Sequence, residues 1–343
     1  MKNLVRTLFF GICFFSGLIA SSENTKIPYQ KLKLEYSFPS EKEDASVAWL
    51  AQSTAMARTS SGQFLVCNNK EKTIVRFSSS GKYMMKFGRP GQGPGDFLNI
   101  LGIIPDRKRI IVFDSMKHEI SFFSDEGKFI QSIKLFNSYR DIAFDGESRF
   151  YALQSSRGLE AGKLIDVLDE KGSILLSFGE PINHFGDKRD SYLNAAKVSF
   201  DGDSLALVFT NTALVRRYGK DGKLLNESMF KEFPKIREES RQNIETFQNM
   251  KPGQVGYRHL FDDIEQSDGH WYLLRNSRGG VEIIEMEKDL KSLVVYTYKN
   301  SHSEESVYMD FKVSSSGKRI ELDLLMWMPE SRVDVMVPAE ERR

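Results

Sequence analysis

The sequence predicts an all-β fold, a six-bladed β-propeller of four-stranded blades, and three observations carry that expectation. First, one device recurs. Phe77-Ser-Ser-Ser-Gly81-Lys-Tyr83, Phe123-Ser-Asp-Glu-Gly127-Lys-Phe129, Leu168-Asp-Glu-Lys-Gly172-Ser-Ile174 and Tyr218-Gly-Lys-Asp-Gly222-Lys-Leu224 each join two apolar runs through a polar turn and a glycine. These glycines fall about 45–50 residues apart, the period of an array of supersecondary units. Second, another turn lies upstream in most units: Ser60-Ser-Gly62, Asp145-Gly146, Asp201-Gly202, Ser267-Asp-Gly269 and Ser315-Ser-Gly317, with Pro105-Asp-Arg-Lys-Arg109 in its place in the second unit. Two tight turns per unit make four strands, and glycine suits such turns because it has no Cβ to clash at positive φ. Third, the strands balance only as a ring. Five full units are followed by three strands, at 308–313, 319–325 and 331–337, while one alternating strand, Lys31–Phe38, is spare near the N-terminus. A propeller removes its edges by closing on itself, so the spare strand is expected to complete the sixth blade.

Taken in order, the chain opens with Lys2 and Arg6, an apolar run over 8–20 and the small residues Ala20-Ser21-Ser22. That is the layout of a secretory signal peptide over 1–22, followed by a single propeller domain over 23–343. Its removal leaves a nearly neutral chain, since the whole sequence has 48 Lys and Arg against 47 Asp and Glu. This balance gives no electrostatic reason to expect nucleic acid or anionic lipid as a partner. Hydrophobic residues make up 40% and charged residues 28%, which suits a packed core. Cys13 lies in the apolar run, and its lipidation would need a small residue where Ile12 stands. Cys67 is then alone, so stability must come from packing and not from a disulfide. Within Phe64-Leu-Val-Cys67 it reads as a buried small hydrophobe.

The third strand of each blade reads as Thr73–Phe77, Glu119–Phe123, 164–168, 214–218 and 281–286. In the fifth copy Asp289-Leu290 replaces the glycine turn. Two segments interrupt the period. Phe87-Gly-Arg-Pro-Gly-Gln-Gly-Pro-Gly-Asp-Phe97 links units one and two. The second runs over 231–260, where Ile236, Ile244, Phe247 and Met250 share a face at helical spacing, with Pro234 in the first turn and Pro252 at the stop. This is a helical insertion between blades four and five, either packed as a lid or presented to a partner.

The linker at 87–97, followed by Leu101-Gly-Ile-Ile-Pro105, resembles NHL-repeat and related bacterial exported six-bladed propellers, which carry a glycine-rich linker ending in Gly-x-Phe before the next inner strand. The matching residues are Gly91, Gly93, Pro94, Gly95, Asp96 and Phe97. Arg109-Ile-Ile-Val-Phe-Asp114 and Ile120–Gly127 also look like that family's blade, and blade-like patterning covers about 45–337. The linker occurs once, and the Asn and Arg usual between the middle strands are mostly absent. The resemblance implies the fold. It implies little about activity, because propellers serve many functions.

The chemistry is sparse. Gly91, Gly93 and Gly95 have no Lys-Ser/Thr or helix after them, and Pro90 and Pro94 remove backbone donors, so a phosphate loop is not expected. Phe97 is instead expected to plug between sheets. No two of His118, His184, His259, His270 and His302 stand at a close metal-ligand spacing. Asp201-Gly-Asp203 and Phe261-Asp-Asp263 offer hard oxygens but no calcium-loop spacing. Loops entering the inner strands converge at a propeller's channel mouth, where concave binding sites form on a rigid scaffold. The candidate ligand-binding residues there are Arg89, Gln92, Arg140, Asp141, Arg258, His259, Asp262 and Arg275. The sequence thus points to an exported binding module, periplasmic or secreted, monomeric, without cofactor or catalytic step, with a protein, small-molecule or glycan ligand. The alternative, implied by the resemblance, is a metal-dependent lyase or hydrolase using calcium or zinc at the channel. A third reading is a subunit of an envelope assembly, contacted through the insertion.

Overall fold

The computed structural model describes residues 27–39, 50–107, 109–155, 162–251, 256–277, 280–299, 307–316, 319–328 and 331–339. The expected signal peptide, Cys13 and His302 lie outside the described residues. β1 (Tyr29–Phe38) precedes blade 1, which is built from β2 (Met56–Arg58), β3 (Phe64–Asn68), β4 (Thr73–Phe77) and β5 (Tyr83–Phe87). Blade 2 holds β6 (Ile100–Asp106), β7 (Arg109–Asp114), β8 (Glu119–Ser124) and β9 (Phe129–Lys134). Blade 3 holds β10 (Tyr139–Phe144), β11 (Phe150–Gln154), β12 (Ile165–Leu168) and β13 (Ile174–Phe178). After the short α1 (Asp190–Leu193), blade 4 holds β14 (Ala196–Phe200), β15 (Ser204–Phe209), β16 (Val215–Gly219) and β17 (Leu224–Ser228). The insertion supplies α2 (Pro234–Asn249), and blade 5 follows with β18 (Asp263–Ser267), β19 (His270–Ser277), β20 (Gly280–Met286) and β21 (Ser292–Lys299). Blade 6 combines β22 (Val307–Ser316), β23 (Arg319–Met328) and β24 (Arg332–Pro338) with β1.

The ring closes as the sequence predicts. β1 runs antiparallel to β24, from Leu32 opposite Pro338 to Phe38 opposite Val333. It also does something the sequence does not announce. Tyr29, Gln30 and Lys31 pair in parallel with Val295, Tyr296 and Thr297 of β21, so blades 5 and 6 share one eight-stranded sheet. Innermost strands β2, β6, β10, β14, β18 and β22 lie beside one another in turn, and β22 returns to β2. The cores sit between blades. Leu65, Cys67, Ile110 and Val112 fill the space between blades 1 and 2, for example, and a larger cluster spans blades 5, 6 and 1.

The recurring glycines are sockets. Position for position, Phe87 lies opposite Ile74, Ile133 opposite Ile120, Phe178 opposite Ile165 and Phe38 opposite Val333. Each of the three phenylalanines packs onto the glycine turn of the next blade. A Cβ on Gly127 would fall 2.7 Å from Phe87, on Gly222 2.7 Å from Phe178 and on Gly81 2.7 Å from Phe38. Atoms cannot approach so closely, so only glycine admits the ring. Phe38, near the chain's start, therefore serves blade 1 as Phe87 serves blade 2. Blade 5 inverts the pair. Its preceding strand offers Ser228, opposite Val215, and Leu290 stands in place of the glycine at φ 72°, only 4% exposed. The irregular fifth turn thus carries the bulk that its neighbouring strand lacks.

Both interruptions are packed. Phe97 is fully buried against Phe123, ring centroids 5.5 Å apart. Lys117 Nζ donates to the carbonyls of Gly93 and Asp96 at 3.0 and 2.9 Å, and Arg89 Nε donates to Asp96 Oδ1 at 2.7 Å. The linker is an inter-blade plug. α2 buries Ile236, Ser240, Asn243 and Phe247, whereas Ile244 and Met250 stay half-buried. The face is shifted from the expected one because the surface beneath it is backbone. Ser240 Oγ accepts from Ala213 N at 3.0 Å, and Asn243 Nδ2 donates to the carbonyls of Asn211 and Arg258 at 3.0 and 2.7 Å.

Candidate functional site: the central channel

The six innermost strands enclose a channel cavity of about 230 Å³. Alternation along a strand sends every second side chain to one face. Here it brings Asp141 of β10, Lys197 of β14, Asp263 and Glu265 of β18, and Asp310 and Lys312 of β22 to the wall. Four carboxyl groups thus meet two ammonium groups in a confined space. Asp310 Oδ2 accepts from Met56 N at 2.6 Å, and its Oδ1 accepts from Lys312 Nζ at 3.0 Å. Lys312 Nζ also donates to Glu265 Oε2 at 2.9 Å. Asp141 Oδ2 accepts from Val198 N at 3.1 Å and Oδ1 from Ile142 N at 3.0 Å. Lys197 has no carboxylate within ion-pair distance among the described residues, yet it sits in the combined field of Asp141, Asp263 and Asp310.

The environments push the channel groups apart. Burial, then the negative charge of Asp310, raises Asp263 well above the usual carboxylate range. Burial also opposes ionisation of Asp310, but the Lys312 charge, the hydrogen bond with Asp263 and the Met56 amide outweigh it and hold Asp310 low. The two neighbouring carboxyls are thus pushed in opposite directions, Asp263 up and Asp310 down, as like charges in a shared site dictate. Burial raises Asp141 and Glu265, with Lys197 and Lys312 opposing. Burial works against both lysines, and the surrounding carboxylates overcome it and raise them. At the far end Arg58 pairs with Glu321 at 2.5 Å and Asp323 at 2.9 Å. Burial, offset in part by Arg58, pushes Asp323 up to about 7.

Of the residues expected at the mouth, Asp141 lines the channel. Arg140, next to it, is half-buried with no acid in ion-pair distance among the described residues. Burial lowers its pKa, and nearby Tyr257 acts the other way. Tyr257 belongs to an aromatic group with Phe247 at 5.1 Å and Tyr192 at 5.7 Å, and His259 stacks on it at 5.8 Å. His259 Nδ1 stands 3.6 Å from Asp262, whose carboxylate is held by the backbone and side-chain amides of Asn276. Arg258 lies 3.8 Å from Glu239. Arg275 is 1% exposed and committed to Glu239 and Glu282 at 2.5 and 2.9 Å. Arg89 and Gln92 point outward from the linker and are not part of the channel wall. Lys197, Asp263, Glu265, Asp310 and Lys312 escaped the sequence reading as site residues. Their signal was present, in charged residues two apart within inner strands, as in Asp263-Ile-Glu265 and Asp310-Phe-Lys312. No group of three or more His, Cys, Asp or Glu arranged to hold a metal occurs among the described residues.

With fold and channel defined, known proteins place the chain among the six-bladed propellers. Residues 50–180 match a family model, DUF5128, described as a 6-bladed beta-propeller. No curated protein matches the sequence. Among solved structures, a Bacteroides fragilis protein described as exported is similar over 90% of this chain and 96% of its own, with TM-score 0.59 and 12% identity. A DUF4221 member from Bacteroides vulgatus aligns over 91% and 98%, with TM-score 0.57 and 13% identity. Virginiamycin B lyase from Staphylococcus aureus aligns over 93% and 97%, with TM-score 0.50 and 13% identity. At such identities the likeness establishes the fold alone.

Proposed function

We propose that the protein is an exported, non-catalytic binding module that takes a small zwitterionic ligand in the central channel. The observation that carries this reading is the charge arrangement. Asp141 in the channel wall has no cation, and Arg140 beside it no acid, in ion-pair distance among the described residues. A buried charge without a partner is costly. A ligand amine set among Asp141 and Asp310, with its carboxylate toward Arg140, would compensate both ends. Export to the periplasm or medium is supported by the N-terminal pattern of Lys2, Arg6 and the apolar run, and by the likeness to a protein described as exported. Among the described residues no helix is long and apolar enough to cross a membrane.

The test is calorimetric titration with glycine, β-alanine, 4-aminobutanoate and 6-aminohexanoate. One chain length should bind best, and Asp310→Asn and Arg140→Gln should each weaken it about tenfold or more, as expected for charge-assisted contacts. Equal binding of propylamine or propionate alone would sink the reading. The Asp263–Asp310 pair favours a second reading, an acid–base lyase or hydrolase, since split carboxyl pKa values are how such pairs divide acid and base roles. A metal-dependent form would hold calcium or zinc on these carboxylates, and metal analysis of the purified protein separates the two.

A further inference from the structure

Away from the channel, a cleft of about 430 Å³ opens between α2, the β15–β16 connection of blade 4 and the segment before α1. None of its lining residues belongs to the channel wall. Its body is aliphatic, built from Ile182, Leu193, Ala213, Leu214, Met229 and Ile244. Ile244 is one of the two apolar residues of the insertion pattern that stay half-buried, and here it has a role. The volume lies within the range of small-molecule pockets, which combine apolar walls with a few polar groups.

One feature gives the cleft a chemical preference. Three arginines line it, but two are already committed. Arg216 pairs with Glu227 at 2.8 Å, and Arg241 pairs with Glu238 and Glu245. Arg237 is exposed on α2 and has no acid in ion-pair distance among the described residues. We propose that this cleft is a second binding site, for an amphiphilic monoanion: an aliphatic body against Ile244 and Leu214, and a carboxylate at Arg237. This proposal does not depend on the channel reading.

Decanoate is the probe, titrated calorimetrically into the full chain beside decanol and decylamine. Saturable one-to-one binding of decanoate is expected, at least about tenfold tighter than decanol, the scale of one charge-assisted contact. Decylamine should bind weakest. Arg237→Gln, at an exposed position that leaves the fold alone, should erase the preference for decanoate over decanol. Ile244→Trp, which fills the cleft, should abolish binding of both while Lys82→Gln, on blade 1, changes nothing. If Ile244→Trp lowers the melting temperature, the Arg237→Gln comparison still decides the matter. Absence of saturable decanoate binding, equal binding of decylamine, or an intact preference in Arg237→Gln would overturn the proposal.

Discussion

Replacing Phe38 with alanine asks whether the ring is held shut by its first strand. Phe38 is 2% exposed, with ring centroids 4.7 Å from Phe64 and 5.0 Å from Phe77 of blade 1. It enters the last blade through β1 and the first blade through its ring. Loss of a buried phenylalanine costs about 3–5 kcal/mol when the site cannot collapse. Collapse is hindered here because Phe38 is covered from both blades. Gly81→Ala attacks the same contact from the other side. At φ 78° its Cβ would sit 2.7 Å from the Phe38 ring, so the cost combines about 1 kcal/mol of backbone strain with a clash of roughly 1–3 kcal/mol. Phe38→Ala removes the ring's share of that clash, whereas Phe38 Cβ, also 2.7 Å away, remains. The double variant should therefore be less destabilised than the two single losses together, by about 0.5–1 kcal/mol, the lower end of the coupling seen between touching residues. Urea unfolding followed by tryptophan fluorescence and far-ultraviolet dichroism measures each term. Additive losses, or a Phe38→Ala effect below about 1 kcal/mol, would refute the socket reasoning.

Further outcomes follow from the same structure. Removing residues 27–39 should lower the melting temperature of the whole domain, because β24 and β21 both lose a paired strand; an unaltered melt would speak against closure. Glu239→Gln should destabilise by about 1–3 kcal/mol, since among the described residues the buried Arg275 keeps only Glu282 as a charged partner, and Glu239→Gln with Arg275→Met together should recover part of that loss. Asp323 gives a pH signature. Its pKa is about 7 in the fold against an ordinary value of 3.8, so folding favours its protonated form. That contribution is complete below about pH 4 and is lost as pH rises through 7, so the stability of wild type relative to Asp323→Asn should fall by up to about 1.4 kcal/mol per pH unit within that window. A constant difference between pH 5 and 7 would contradict it.

The blade count and ring closure were legible because they rest on local signals. A Gly at most hairpins, an alternating Lys31–Phe38 and a terminal unit short by one strand need no tertiary information. The parallel pairing of Tyr29–Lys31 with β21 was not legible, since nothing in three residues specifies a second partner. The α2 face was read one step off for a physical reason. Periodicity finds apolar stripes, and this helix docks partly through Ser240 and Asn243 onto backbone groups. The geometry of the candidate channel was legible in part. Arg140 and Asp141 follow from where loops meet inner strands, whereas Arg275 looks like a mouth residue in sequence and is consumed by Glu239 and Glu282 across 36 and 7 positions. Asp263, Asp310 and Lys197 come from three blades, and their convergence exists only once the ring is closed.

The central claim is that the channel holds the zwitterionic ligand. A crystal structure of the protein soaked with the tightest-binding ω-amino acid tests it most directly. The account expects density inside the channel, with the amine among Asp141 and Asp310 and the carboxylate toward Arg140. An empty channel, or density confined to the α2 cleft, would contradict it.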